Sequence, residues 1–171
     1  MRRTALLLVL VALGAVLVVL IEPPRRRTGA ERSRGPHVFR TTAESVRRFD
    51  VALGDRRFSA ERSPDGWQLD GRPASSRGAD ALDDLAKLAA SLRAVDAFRP
   101  AEVASFGLEP PSGAVVVTTR AGTQRLVLGA LNASGGTLYA RRDRHRRVLQ
   151  VGIYLLSALE RVFGARESTA A

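Results

Sequence analysis

Asp80, Asp83 and Asp84 form the densest carboxylate group in the sequence, and clustered carboxylates are what a hard cation binds. They also open a run with helical spacing, where acidic side chains favour the positive end of the helix dipole. That role explains them without a metal. His37 and His145 stand 108 positions apart with no second set of ligands near either, so both read as solvated surface residues rather than metal ligands or general bases. Cysteine is absent, which removes a disulfide framework, a thiolate metal site and a lipoprotein attachment thiol. Gly129 and the Gly135-Gly136 pair lack the strand-to-helix setting of a phosphate-binding loop and read as turns between strands. No G-x-S-x-G or HExxH pattern occurs. Asn132-Ala133-Ser134 fits a glycosylation sequon, a pattern common by chance. These residues specify no catalytic group, no cofactor and no metal.

The 171-residue chain carries 27 Lys and Arg against 17 Asp and Glu, net +10, which invites a nucleic-acid partner. The distribution argues otherwise. Residues 1–37 hold net +5 and residues 141–147, RRDRHRR, hold net +4, while the remainder is nearly neutral. The excess therefore sits in a stretch beside the apolar N-terminus and in one loop, and no nucleic-acid partner is assigned. Lys87 is the sole lysine, as arginine-favouring codon bias would produce. Arg141, Arg142, Arg144, Arg146 and Arg147 are the candidate contact for lipid headgroups or an acidic partner, against the plainer reading of a solvated hairpin tip.

The elements that must position such a contact begin with residues 4–21, TALLLVLVALGAVLVVLI, 18 residues without a charge. As a helix they reach about 27 Å, close to the hydrocarbon thickness of a bilayer. Their 13 Leu, Val and Ile residues favour insertion by about 4–8 kcal/mol. The run ends at Glu22-Pro23-Pro24-Arg25 with no small-x-small cleavage site, so it reads as an uncleaved transmembrane anchor. A plain count of flanking arginines places the body in the cytoplasm. A short basic start leading straight into the apolar run is instead a signal-anchor layout, and long domains translocate largely regardless of charge. The expectation is a single-pass inner-membrane protein with its soluble domain outward.

Residues 22–37 have the Arg, Pro and Gly content of a linker, and one domain spans 38–163 with a disordered tail at 164–171. Phe49, Val51 and Leu53 alternate with polar or small residues as in a half-buried strand, Gly54-Asp55 fits a hairpin turn, and Ser63-Pro64-Asp65-Gly66 fits a second before Trp67-Gln68-Leu69. After the loop DGRPASSRG, residues 79–98 show helical spacing at Leu82, Leu85, Leu88, Ala89, Leu92 and Val95. Ala97-Phe98-Arg99-Pro100 ends that helix, and Pro110-Pro111 forbids its resumption. Strands at 114–120, 124–129, 137–142 and 147–151 follow, then a helix at 152–163 presenting Ile153, Leu156, Leu159 and Phe163. The fold class is α+β, antiparallel β meanders each followed by a helix, as two related half-units at about 45–98 and 114–163 behind one N-terminal transmembrane helix. Phe106 and Leu108 bury themselves at the seam. Trp67 and Tyr139 lie on strands and read as core, with a shared interaction groove as the alternative.

The order of motifs resembles a bacterial family, the domain of unknown function 4340: Trp67-x-Leu69, then Phe106-Gly107-Leu108-Glu109-Pro110, then a strand ending at Gly129, then Tyr139-Ala140-Arg141. Trp67, Phe106, Gly107, Leu108, Pro110, Gly129 and Tyr139 carry this resemblance, which covers most of residues 45–151. Phe106 replaces the family's usual Tyr. The resemblance implies a membrane-tethered extracytoplasmic domain, with relatives linked to ABC-type transport systems of the gliding-motility kind, and it implies no catalytic residues.

Two functions follow as expectations. The first is a membrane-anchored, non-catalytic accessory or interaction domain of the envelope, with a membrane protein as partner. The second is an envelope enzyme or polysaccharide-binding protein, which requires convergent polar groups in a pocket.

Overall fold

Strand β1 (Val46–Leu53) buries Phe49 and Val51 and turns its alternate residues outward, as its two-residue period dictates. It leads through β2 (Arg56–Ser63) and β3 (Gly66–Leu69) to the short β4 (Arg72–Pro73). β4 and the turn that joins it to β3 lie inside the segment 70–78 expected to be a loop. Asp70 and Gly71, both at positive φ (51° and 78°), close the hairpin, the backbone that Asp-Gly turns supply. The protein is described by a computed structural model covering residues 35–143 and 145–170. The expected span at 4–21 and linker residues 22–34 lie outside the described residues. Among the described residues no helix is long and apolar enough to cross a membrane.

Helix α1 (Ser76–Ser91) follows β4, and β5 (Ala94–Phe98) follows α1. A second meander, β6 (Gly113–Thr119), β7 (Gly122–Leu131), β8 (Thr137–Arg142) and β9 (Val148–Gly152), leads to helix α2 (Tyr154–Ala170). The nine strands among the described residues join one antiparallel sheet in the order β4-β3-β2-β1-β6-β7-β8-β9-β5. The two meanders meet at β1 and β6, with Phe49 opposite Val117 and Val51 opposite Val115, and each runs outward from there. The α+β class and the strands-then-helix order, twice over, are as expected. Strand β5 is not: it closes the first half-unit in sequence but pairs with β9, so the first half-unit supplies the edge strand of the second.

Both helices cover one face. Leu82 and Leu85 of α1, Leu159 and Phe163 of α2, and Phe49, Val117, Leu128 and Leu138 of the sheet form one continuous core. Burying each such side chain contributes about 1.5–3 kcal/mol. Leu156, expected on the buried stripe of α2, is half-buried, and Leu155, Ala158 and Val162 complete the stripe instead.

Three expectations are corrected. The first helix ends at Ser91 rather than at residue 98, and Val95 lies in a strand. The chain leaving the helix meets the N-terminal segment: Val38 N donates to Leu92 O (2.8 Å) and Ala94 N donates to Pro36 O (2.9 Å), partners that local periodicity cannot register. Ser91 Oγ caps the last turn by donating to Lys87 O at 3.0 Å. Because α1 starts at Ser76 with Ser75 as its cap, Asp80, Asp83 and Asp84 fall beyond the first turn and do not serve the helix dipole. The folded region also extends past both expected limits. His37 bridges Arg93, and a side chain on Gly35 would overlap the Ala94 carbonyl, so 35–37 belong to the fold. At the other end α2 runs through Ala170 in place of a disordered tail from 164, with Ala165 buried and Arg166 Nε 2.6 Å from Asp70 Oδ2.

Candidate functional site

The opposite face of the sheet is half covered by the connection between β5 and β6. A single 3-10 turn (Ala104–Phe106) ends at Gly107, whose φ of 65° suits glycine and whose missing side chain leaves room for Ala130. Leu108 is buried, whereas Phe106 is half-buried rather than buried as expected. Phe106 packs edge-on against Tyr139 (centroids 4.7 Å apart) and Phe98 (5.4 Å). Gly129 is not a turn, as expected, but part of β7, at a register shift between Leu128 and Leu131. The Phe106 carbonyl and Leu108 pack flat on its backbone. Ser112 Oγ donates to the Gly129 carbonyl at 2.8 Å, and Glu109 carries an ion pair with Arg141 at 3.3 Å. The Glu109-Pro110 bond is cis. Phe106, Gly107, Leu108, Pro110, Gly129 and Tyr139 are thus brought together as one docked seam.

Trp67 lies elsewhere, on the helix-covered face. It stacks on Phe49 (5.9 Å), Arg62 lies over its ring, and its Nε1 donates to Asp83 Oδ1 at 2.9 Å. Asp83 also pairs with Arg62, while Asp84 faces Lys87 and Arg161. The three aspartates do not converge, and no group of metal-ligating side chains occurs among the described residues.

A cleft of about 790 Å³ opens where β5 and β8 begin and β9 ends, beside the start of α2. Arg93, Asn132, Ser134, Thr137, Gln150 and Tyr154 supply its polar groups, and no carboxylate, imidazole or thiol stands among its lining residues. Tyr154 is 48% exposed and its ring lies over Gly152. Burial of one side pushes its phenol up, so it stays a neutral hydroxyl. Arg93 is held by donating to the Gly35 carbonyl at 3.0 Å. The sequence reading missed this cleft because its groups come from separate elements with no spacing in common.

The basic loop is divided rather than massed. Arg141 faces the seam with Glu109, Arg142 turns to the opposite side beside His37, and Arg146 and Arg147 are exposed. Arg144 lies outside the described residues. His37 and His145 are both exposed.

The family model described as Domain of unknown function (DUF4340) matches residues 76–169, more than half of the chain. Phe106, Gly107, Leu108, Pro110, Gly129 and Tyr139 fall inside that match, and Trp67 precedes it. No curated protein and no solved structure matches the chain significantly. In the seam, the two glycines give the close approaches and the aromatics fill the contact. On the family match, the chain belongs to the DUF4340 family.

Proposed function

We propose that this protein is a membrane-tethered, non-catalytic binding domain of the bacterial envelope, an accessory of an ABC-type transport or gliding-motility-like assembly. The observation that carries the binding reading is the lining of the large cleft. It presents an arginine, two amides and several hydroxyls, groups that fix a ligand's orientation, with no carboxylate or imidazole beside them to move a proton. Ser134 there has Asn132 Oδ1 as its partner at 3.1 Å, not a base. The tether rests on the apolar run at 4–21, and the transport association on the family resemblance alone.

A photo-crosslinking residue at position 91, on the cleft rim, tests the partner in native membranes. An adduct with a transporter subunit supports the reading, and its absence from a well-expressed protein sinks it. Paired reporter fusions at the C-terminus test the outward orientation, which a cytoplasmic signal overturns. A polysaccharide-binding surface is the second reading, favoured by the exposed Tyr154 ring beside neutral hydroxyls and amides. Retention on cell-wall polysaccharide that Tyr154→Ala abolishes would select it.

A further inference from the structure

Six arginines of the fold have acidic partners. Arg48 pairs with Asp50, Arg56 with Glu160, Arg62 with Asp83, Arg141 with Glu109, Arg161 with Asp84 and Arg166 with Asp70. Arg142 and Arg40 are among the arginines outside these pairs. They line one pocket of about 240 Å³ beside the buried Val38 and Phe39, and neither has a carboxylate partner among the described residues. Asp143 lines the same pocket without forming an ion pair with either.

The Arg40 backbone and the Arg142 side chain are held in place. Gln124 clamps the Arg40 backbone from both sides, accepting from Arg40 N at 2.8 Å and donating to Arg40 O at 3.0 Å. Arg142 donates through Nη2 to the His37 carbonyl. Its Nε is buried and has no acceptor among the described residues, a state that costs free energy because the donor has given up water without gaining a partner. Burial first, and the nearby Arg40 charge second, hold the Arg142 guanidinium below its ordinary value. Like charges set side by side with a donor left over are what an incoming anion relieves. Guanidinium forks match the oxygens of a phosphate. The volume admits a phosphate group yet falls below the roughly 300–1,000 Å³ of sites for larger ligands.

We propose that the pocket between Arg40 and Arg142 binds a phosphate-type oxyanion, either free phosphate or the headgroup of an anionic lipid. Different residues form it from those of the cleft, so its failure leaves the binding reading standing.

The test uses the full chain in zwitterionic micelles, with thermal unfolding followed by the fluorescence of Trp67, its only tryptophan. One arm adds inorganic phosphate against chloride at matched ionic strength. The other dopes the micelles with phosphatidylglycerol against phosphatidylcholine. A rise in Tm of several degrees in either arm is expected, since a ligand bound to the folded state alone stabilises it. Arg142→Gln and Arg40→Gln should each remove at least half of that rise. Arg40 is exposed, so its variant keeps the test valid where Arg142→Gln fails to fold. A response to phosphate identifies a free anion, and a response only to phosphatidylglycerol identifies a headgroup. No rise in either arm, or a rise that both variants retain, overturns the proposal.

Discussion

Gly129 lies flat against the carbonyl oxygen of Phe106, so that a methyl group placed on its Cα would overlap that oxygen and press on Leu108. The seam can sit on β7 only because that position has no side chain. Gly129→Ala should therefore lift the 104–111 segment and cost about 1–3 kcal/mol, the range for overfilling a packed contact. Gly107→Ala adds strain at φ 65° and a methyl group 2.8 Å from the Ala130 nitrogen, and should cost a similar amount. Chemical denaturation of each variant measures this. A loss below the error of the extrapolation in both would mean that the seam is not docked.

Asp83 serves the Trp67 indole and the Arg62 guanidinium with the same oxygen. Asp83→Ala leaves the indole N–H of a tryptophan only 5% exposed without its partner, an expected loss of roughly 1–3 kcal/mol. Fluorescence reads the change at its source, since Trp67 is the single tryptophan. Unchanged emission together with unchanged stability would contradict the contact.

Removal of residues 164–171 distinguishes a helix that packs to its end from a dispensable tail. It deletes buried Ala165 and the Arg166 partner of Asp70, so the midpoint of thermal unfolding should fall measurably. A truncated chain as stable as the full one would favour the tail.

Acid should weaken the hold of α2 on β2. The Arg56 guanidinium keeps the Glu160 carboxyl below its ordinary value of 4.5, with an Nη1 to Oε2 distance of 2.7 Å. A carboxyl whose value is depressed by folding contributes stability above its unfolded value, and that contribution is lost as pH falls through the folded value. Glu160→Gln should thus leave stability less steeply dependent on pH below about 4.5, with little change near pH 7 beyond the loss of an exposed pair. Urea midpoints across that range provide the measurement, and parallel curves for the two proteins would refute it.

Strand alternation at Phe49, Val51, Trp67 and Leu69, helical spacing at Leu82 and Leu85, and turn residues such as Gly54-Asp55 were enough to state an α+β fold with two meander-and-helix runs. These are local signals, because each residue's period reports only the face its own element buries. The motif order around Phe106-Gly107-Leu108 likewise identified the family without any contact being known. What local signals could not supply was every partner distant in the chain. Ala94–Phe98 continues a helical pattern in sequence, yet pairing with β9 and with residues 36–38 makes it a strand. Asp83 reads as a helix-start acid until Trp67 and Arg62 arrive beside it. Gly129 reads as a turn until Phe106 lands on it. The cleft and the Arg40–Arg142 pocket have no signature in spacing, since each collects groups from segments tens of residues apart: the pairing of β5 with β9 assembles the first, and the docking of residues 37–40 on Gln124 and Arg142 assembles the second.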